Sequence, residues 1–314
     1  MREPDLRVRL GRLELANPVL VAAGTFGYGL EFSRAVRLDQ LGGLITKTIT
    51  LQPRQGNPPP RLVETPSGML NAVGLQNVGL DAFLRDKLPE LAHANVPVIV
   101  SVLGETRGEI QELCGRLDRE PAVAAVELNL SCPNLPDRHD PKNRFDMIAQ
   151  DPEATADVVA VARRATAKPL IAKLSPDVTD IRDIAKAAER ADADALALCN
   201  TFTGMSVDPA TRRSRLGSLT GGVSGPAIRP LAVYRVWVVR QAVRCPLIGL
   251  GGIVRGEDAL EFLIAGATAV AIGTANFANP RAALKVLAQL RRHVMRRGLG
   301  SVQELVGALQ DDGR

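Results

Sequence analysis

Polar side chains follow the short apolar runs of this sequence at several points where a run ends. Two of them are lysines, and the full set is Lys47, Thr48, Ser101, Asn129, Ser131, Cys132, Lys173, Asn200 and Thr201. A lysine next to apolar sequence either pairs with an anion or has a depressed pKa, and both arrangements are functional. A single Asn or Thr at such a point also serves as an ordinary strand end or turn cap. Because several different runs end this way, we interpret these residues as parts of one polar site.

Cys132 differs from the other cysteines, Cys114, Cys199 and Cys245, whose apolar surroundings predict small buried side chains. It follows Ser131, and Pro133 after it prevents the chain from continuing a paired strand. A thiol at such a strand end can act as a nucleophile or, once deprotonated, as a base. No His lies close in sequence, which favours the base. No Cys-x-x-Cys pair is present, so neither a zinc site nor a disulfide framework is predicted.

Glycines follow the last two apolar runs. They form Gly251-Gly252 and, further on, Gly273 before Thr274. Bare backbone at these points can approach a phosphate group closely, although glycine pairs also make ordinary turns. The sequence has neither a P-loop nor a Rossmann fingerprint, so we expect a mononucleotide such as FMN rather than a dinucleotide.

Apolar runs alternate with amphipathic segments along the whole chain. The predicted strands are 18–23, 43–49, 97–103, 124–130, 169–174, 195–200, 246–250 and 269–273. The predicted helices are 31–41, 81–94, 107–117, 152–165, 180–191, 226–243, 257–265 and 280–297. Asp151, Thr179 and Asn279 are the predicted helix caps. Strict alternation predicts an α/β fold of the (β/α)8 TIM-barrel type, as one domain over residues 1–314.

Three further segments lie outside this alternation. Residues 6–15 alternate around Gly11 and predict an N-terminal β-hairpin that closes the bottom of the barrel. Residues 50–79 and 201–225 predict long loops over the carboxyl-terminal face, where barrel enzymes hold their active sites.

The composition excludes several classes of protein. The chain has 314 residues, 46% of them hydrophobic, with a net charge of +5 and only 3% aromatic residues. These values exclude a disordered, coiled-coil or collagen-like chain, and the scarcity of aromatics argues against nucleic-acid binding. No apolar stretch approaches the roughly 18 residues of a membrane span, so we expect a cytoplasmic protein.

The sequence resembles the class 1 dihydroorotate dehydrogenases, most closely the NAD-linked class 1B catalytic subunits, over nearly its whole length. The stretches that carry the resemblance are 24–29 (GTFGYG), 53–58 (PRQGNP), 64–79 (ETPSGMLNAVGLQNVG), 129–134 (NLSCPN), 173–181 (KLSPDVTDI), 221–230 (GGVSGPAIRP) and 266–277 (GATAVAIGTANF).

The resemblance implies oxidation of dihydroorotate to orotate in pyrimidine biosynthesis, with Cys132 as base and Lys47 as a second catalytic residue. It implies FMN held by Ala23, Lys47, Thr48, Ser101, Asn129, Lys173, Cys199, Gly225, Gly251, Gly252, Gly273 and Thr274. It implies substrate held by Lys47, Asn71, Ala72, Val73, Gly74, Leu75, Asn129, Asn134, Asn200 and Thr201. The implied assembly is a homodimer, or a heterotetramer in which a partner subunit carries FAD and an iron–sulfur cluster and uses NAD. No metal site is expected on this chain.

The sequence departs from the family pattern at two places. Ala23 stands where the family usually has Ser, and residues 135–150 form a longer, more charged segment after Cys132. The alternatives are therefore an FMN barrel acting on another dihydropyrimidine such as dihydrouracil, a class 1A-like enzyme linked to fumarate, or a barrel kept as a binding subunit without catalysis.

Overall fold

The computed structural model describes residues 3–131 and 148–310, and it has the predicted barrel. Its strands are β1 (Val8–Leu10), β2 (Leu13–Leu15), β3 (Val19–Val21), β4 (Gly43–Ile45), β5 (Leu62–Thr65), β6 (Gly68–Asn71), β7 (Val98–Val102), β8 (Val123–Asn129), β9 (Leu170–Lys173), β10 (Ala195–Leu198), β11 (Phe202–Gly204), β12 (Val207–Asp208), β13 (Arg213–Ser214), β14 (Gly221–Ser224), β15 (Leu247–Leu250) and β16 (Ala269–Ile272). The closed barrel has the order β10-β15-β16-β3-β4-β7-β8-β9, and every pairing in it is parallel. All eight predicted barrel strands are confirmed, with boundaries shifted by a few residues.

The barrel strands are apolar because both of their faces are covered. Strands β3, β4, β9, β10, β15 and β16 are buried at every residue. Parallel strands lie between the barrel interior and the outer helices, so they lack the alternation of a half-exposed strand. This explains why the runs could be located in the sequence without a period of two.

Helices surround the barrel. They are α1 (Gly79–Ala82), α2 (Leu88–Ala92), α3 (Arg107–Asp118), α4 (Pro152–Ala165), α5 (Ile181–Arg190), α6 (Arg229–Arg240), α7 (Gly256–Ala265), α8 (Ala275–Ala278) and α9 (Ala282–Arg296). A π-helical turn, Phe83–Lys87, joins α1 to α2. Short 3₁₀ turns lie at Leu30–Phe32, Leu38–Gln40, Ile148–Gln150, Pro226–Ile228 and Val302–Leu305. No described helix is both long enough and apolar enough to cross a membrane.

The helix predicted over 31–41 is wrong. Only two 3₁₀ turns form there, Leu30–Phe32 and Leu38–Gln40, separated by extended backbone at Arg37. Val36 and Leu38 are both buried. The extended backbone at Arg37 interrupts the i→i−4 hydrogen bonds that a continuous helix needs.

One of the three predicted helix caps is confirmed. Asp151 caps α4 by accepting from the backbone N–H of Glu153 at 2.8 Å. Thr179 is not a cap, because Asp180 takes that role at α5 and accepts from the Arg182 N–H. Asn279 ends α8 rather than starting the last helix, which begins at Ala282.

The N-terminal hairpin is confirmed, and it lies at the amino-terminal end of the barrel strands. Strands β1 and β2 pair antiparallel through a turn in which Gly11 has a φ of 59°. A Cβ atom at Gly11 would lie 2.7 Å from the Cβ of Asp194, which directly precedes β10. The hairpin turn therefore packs on the barrel bottom.

The two long loops are more ordered than expected. Strands from both segments form a four-stranded antiparallel sheet in the order β11-β14-β6-β5, which we call the cover sheet. Gly222 of β14 pairs with Asn71 of β6 across a wide separation in sequence. The cover sheet has its own small core of Leu70, Ala72 and Leu216.

Candidate active site

A cavity of about 620 Å³ lies among the carboxyl ends of the barrel strands and the cover sheet. Its volume is within the roughly 300–1,000 Å³ of small-molecule sites. The predicted site residues that line it are Ala23, Lys47, Thr48, Asn71, Val73, Gly74, Leu75, Asn129, Lys173, Cys199, Asn200, Thr201, Gly225, Gly251, Gly252, Gly273 and Thr274. The structure thus brings together residues that span most of the chain.

Two predicted site residues do not line this cavity. Ser101 is fully buried, and its hydroxyl lies 3.0 Å from that of Thr48, so it supports the cavity wall from behind. Ala72 turns into the small core of the cover sheet because side chains alternate along β6 and the segment after it. Its neighbours Asn71 and Val73 face the cavity instead.

The side-chain oxygen of Asn129 is available to accept a hydrogen bond from a ligand. Its Nδ2 donates to the Thr48 hydroxyl at 3.0 Å. Its Oδ1 is buried and has no hydrogen-bond partner among the residues that the structure describes. Since a buried polar atom without a partner is costly, we interpret this oxygen as an acceptor for a ligand N–H. Lys173 pairs with Asn129 in the barrel register, is 5% exposed and lines the same cavity.

Lys47 lies two residues after the end of β4 and has a perturbed ammonium group. Burial lowers its pKa, the nearby Arg61 guanidinium lowers it further, and Glu31 opposes these effects. An anion that entered the cavity beside Lys47 would stabilise the charged form. The residue is therefore suited to receive a carboxylate.

Asn200 orients the residue that precedes Cys132. Its Nδ2 donates to the Ser131 carbonyl at 2.8 Å and lies 3.1 Å from the Ser131 hydroxyl. Its Oδ1 accepts from the Thr201 N–H at 2.8 Å. Cys132 and Asn134, predicted as base and substrate ligand, lie outside the described residues, as do residues 135–147 of the atypical segment.

The glycines after β14 and β15 fit a phosphate-bearing ligand. Gly252 has a φ of 73°, and a Cβ atom there would lie 2.7 Å from Arg229 Cβ and 2.9 Å from the Gly225 carbonyl oxygen. Only glycine therefore fits, and the backbone at this point lies bare at the cavity wall. Together with the buried amine of Lys173 and the open acceptor of Asn129, this cradle fits the phosphate and ring edge of FMN.

Glu127 is a buried polar residue beneath the cavity that the sequence analysis did not single out, and it does not line the cavity itself. It is 1% exposed, and neither carboxyl oxygen has a hydrogen-bond partner within the described ranges. It lies two residues before Asn129 on β8, so both side chains point into the barrel interior. The signal was present, because an acidic residue interrupts an apolar run at residues 123–128.

The three described cysteines are poor nucleophiles. Burial is the main cause that raises the pKa of the Cys114, Cys199 and Cys245 thiols to about 12. Of these, Cys199 borders the cavity, where it contributes packing rather than acid–base chemistry. The described residues contain no cluster of three or more potential metal ligands.

Comparison with known proteins gives consistent matches over nearly the full length of the chain. A sequence model of the family described as Dihydroorotate dehydrogenase matches residues 5–294. A Geotalea daltonii protein named dihydroorotate dehydrogenase B (NAD(+)), catalytic subunit, is 52% identical over 310 residues, covering 99% of this chain and 100% of the relative. Proteins of the same name from Geobacter sulfurreducens and Pelobacter propionicus are 52% and 51% identical over 99% and 98% of this chain, and over 100% and 99% of their own lengths.

Proposed function

This chain belongs to the dihydroorotate dehydrogenase family, and we propose that it oxidises dihydroorotate to orotate in the cavity above the barrel, with FMN as its cofactor. The reaction is a step of pyrimidine biosynthesis. The observation that carries the assignment of the site is the convergence of Lys47, Lys173, Asn129 and the glycine cradle on one cavity.

We propose that Cys132 removes the proton from the substrate carbon next to the ring carbonyl. Cys132 follows Ser131, whose carbonyl oxygen accepts from the side chain of the cavity-lining Asn200. A proton α to a carbonyl is the acidic one of the two that leave, and a thiolate is a base of suitable strength. FMN, when bound, accepts the accompanying hydride.

The remaining residues bind and orient. Lys47 pairs with the substrate carboxylate, and the amides of Asn71 and Asn129 match the amide groups of the pyrimidine. Lys173 and the glycine backbone of Gly251, Gly252 and Gly273 would hold FMN through its ring edge and phosphate. Thr274 donates to the Ser224 hydroxyl at 2.7 Å, which fixes the rim of the same cradle.

The name catalytic subunit, shared by the relatives, implies a separate partner subunit. We propose that the partner carries FAD and an iron–sulfur cluster and passes electrons to NAD, that this chain forms a homodimer within that assembly, and that the enzyme is cytoplasmic. The names of the relatives do not favour the alternatives of another dihydropyrimidine or of fumarate as the electron acceptor.

Anaerobic titration of the FMN-loaded protein with dihydroorotate tests the function directly. Dihydroorotate should bleach the flavin absorbance, and dihydrouracil should not. Cys132→Ala should keep its FMN but bleach more slowly by a factor of about 10² to 10⁴, the usual contribution of a positioned base. Near-normal bleaching in this variant would remove Cys132 from the mechanism. Bleaching by dihydrouracil and not by dihydroorotate would instead show that the substrate is a different dihydropyrimidine.

A further inference from the structure

Residues 251–255 join β15 to α7 and contain the glycine pair of the proposed phosphate cradle, so we call them the cradle loop. Gly251, Gly252, Ile253 and Val254 all line the cavity. The two glycines have φ values of 130° and 73°, and glycine is the residue with the greatest backbone freedom. A loop of this kind binds a ligand tightly only when other residues hold its backbone in place.

Asp258 of α7 holds the far end of the cradle loop. Its Oδ2 accepts from the backbone N–H of Val254 at 2.8 Å and from that of Arg255 at 2.9 Å. Its Oδ1 accepts from the guanidinium of Arg229, the first residue of α6. Asp258 is 3% exposed, and hydrogen bonds to a buried carboxylate are among the strong ones. Both of its oxygens are therefore engaged, one by the loop and one by Arg229.

Arg229 supports the near end of the same loop. A Cβ atom at Gly252 would lie 2.7 Å from the Arg229 Cβ and 3.0 Å from its backbone nitrogen, so Gly252 rests directly on Arg229. The Arg229 side chain then reaches α7, where its Nε lies 3.5 Å from Glu261 Oε1 and its Nη1 pairs with Asp258. Neither Arg229 nor Asp258 is among the described residues that line the cavity. The pair can therefore act on a bound ligand only through the cradle loop.

We infer that Arg229 and Asp258 are positioning residues that fix the cradle loop for the phosphate of FMN and thereby set the preference for FMN over riboflavin, an inference that rests on the proposed function. A loop that is already fixed does not have to be ordered when the phosphate binds, so less free energy is lost on binding. Riboflavin has the same ring system but no phosphate, and it makes no contact that depends on the cradle loop. Loosening the loop should therefore weaken FMN binding selectively.

Titrations of the flavin-free protein with FMN and with riboflavin, followed by flavin fluorescence, test this inference. Asp258→Asn removes the charge that pairs with Arg229. It should weaken FMN binding about tenfold or more, which is the effect of one lost hydrogen bond between charged groups. Release of FMN should be faster by a similar factor, since differences in affinity between related complexes are mostly differences in dissociation rate. The affinity for riboflavin should stay that of the parent protein.

Two variants of Arg229 and a matched control complete the experiment. Arg229→Met leaves the buried Asp258 without its cation and should weaken FMN binding as Asp258→Asn does. Arg229→Lys keeps a cation at this position and should restore most of the preference for FMN. Asp180→Asn is the control, because Asp180 also accepts from a backbone N–H at the start of a helix and pairs with an arginine, Arg182, away from the cradle loop. Both flavins should bind this control as they bind the parent protein.

The ratio of the two affinities decides the outcome. An unchanged ratio in Asp258→Asn and Arg229→Met would overturn the inference, and so would an equal loss of both flavins, which indicates a general structural role. If Asp258→Asn does not fold, Asp258→Glu carries the same expectation, since it keeps the charge but moves the carboxylate away from Val254. A parent protein that binds no FMN would overturn the proposed function instead.

Discussion

The charge of Lys47 can be tested through the pH dependence of orotate binding. Burial and the Arg61 cation lower its pKa, so it loses its charge at a lower pH than the 10.5 of an ordinary lysine. Orotate should therefore bind tightly below that pKa and more weakly as the pH rises through it. The measurement is the dissociation constant of orotate, followed by the change in flavin absorbance, across a pH series.

Two variants separate the charge of Lys47 from its other effects. Lys47→Ala should bind orotate weakly at every pH and lose this part of the pH dependence. Lys47→Arg should keep its affinity for orotate to higher pH than the parent protein, since a guanidinium stays protonated. If Lys47→Ala follows the pH curve of the parent protein, the substrate carboxylate does not lie beside Lys47.

Glu127 tests whether a buried carboxyl group is kept for function rather than stability. Without a hydrogen-bond partner among the described residues, it should cost free energy that an apolar side chain would not. Glu127→Leu should raise the free energy of unfolding by about 1–3 kcal/mol in a urea titration of the FMN-free protein. It should slow dihydroorotate oxidation about tenfold or more, because Glu127 points to the same side as Asn129 on β8. Lower stability together with full activity would contradict both parts.

Residue types could be predicted better than residue partners. Lys173 and Asn129 were located from their position after apolar runs, and both line the cavity. Asn200 was predicted to contact substrate, yet its side-chain amide already holds Ser131 and Thr201. Which acceptor a side-chain amide reaches depends on the register between neighbouring strands. Residue spacing within one segment does not indicate that register.

The cover sheet determines the shape of the substrate side of the cavity. A Cβ atom at Gly222 of β14 would lie 2.0 Å from the Thr201 hydroxyl oxygen and 3.3 Å from Asn71 Nδ2. Gly222→Ala should displace both of these predicted substrate residues and weaken orotate binding about tenfold, with an overpacking cost of about 1–3 kcal/mol in stability. Isothermal titration with orotate and a thermal melt would measure the two effects.

Gly108→Ala is the control for this substitution. Gly108 lies near the start of α3, and an added Cβ would come no closer than 3.9 Å to the Thr106 hydroxyl oxygen. Orotate affinity should not change in this variant. Normal orotate binding by Gly222→Ala would mean that the cover sheet can shift without disturbing the site.

The strands of the cover sheet could not be predicted from the sequence, unlike those of the barrel. The barrel strands are continuous apolar runs, so each could be located by itself. Strands β6 and β14 are short, both begin with Gly, and pair across about half of the chain. Their sheet exists because the two segments meet over the barrel, and neither segment shows a strand pattern alone.

At the scale of the whole molecule, the barrel could be predicted because strict alternation of strands and helices favours a parallel sheet that closes on itself. Eight parallel units with right-handed crossovers leave few other arrangements. The contacts that fasten the barrel bottom could not be predicted, since they join residues distant in sequence. Asp194 is the clearest case, because it joins three elements around the amino-terminal end of β10.

Asp194 should therefore contribute to the stability of the whole barrel and not to catalysis. Its carboxylate accepts from Arg12 of the hairpin turn, from Arg163 of α4 at 2.9 Å and from the Leu170 N–H of β9 at 2.9 Å. The Asp194 side chain is 13% exposed, so its removal leaves Arg163 largely buried without this partner. Asp194→Ala should lower the free energy of unfolding by about 3 kcal/mol in urea titration.

Activity should survive this change, because the active sites of barrel enzymes lie at the opposite end of the strands. The matched control is Asp39→Ala, which removes an ion pair to Arg37 whose guanidinium side chain is largely exposed. An exposed pair contributes about 0–1 kcal/mol, so the control should unfold close to the parent protein. If Asp194→Ala unfolds at the same urea concentration as the control, the hairpin, α4 and β9 are held together without this carboxylate. The barrel bottom would then depend on apolar packing and on its other hydrogen bonds, such as that from Arg163 to the Lys168 carbonyl at 2.8 Å.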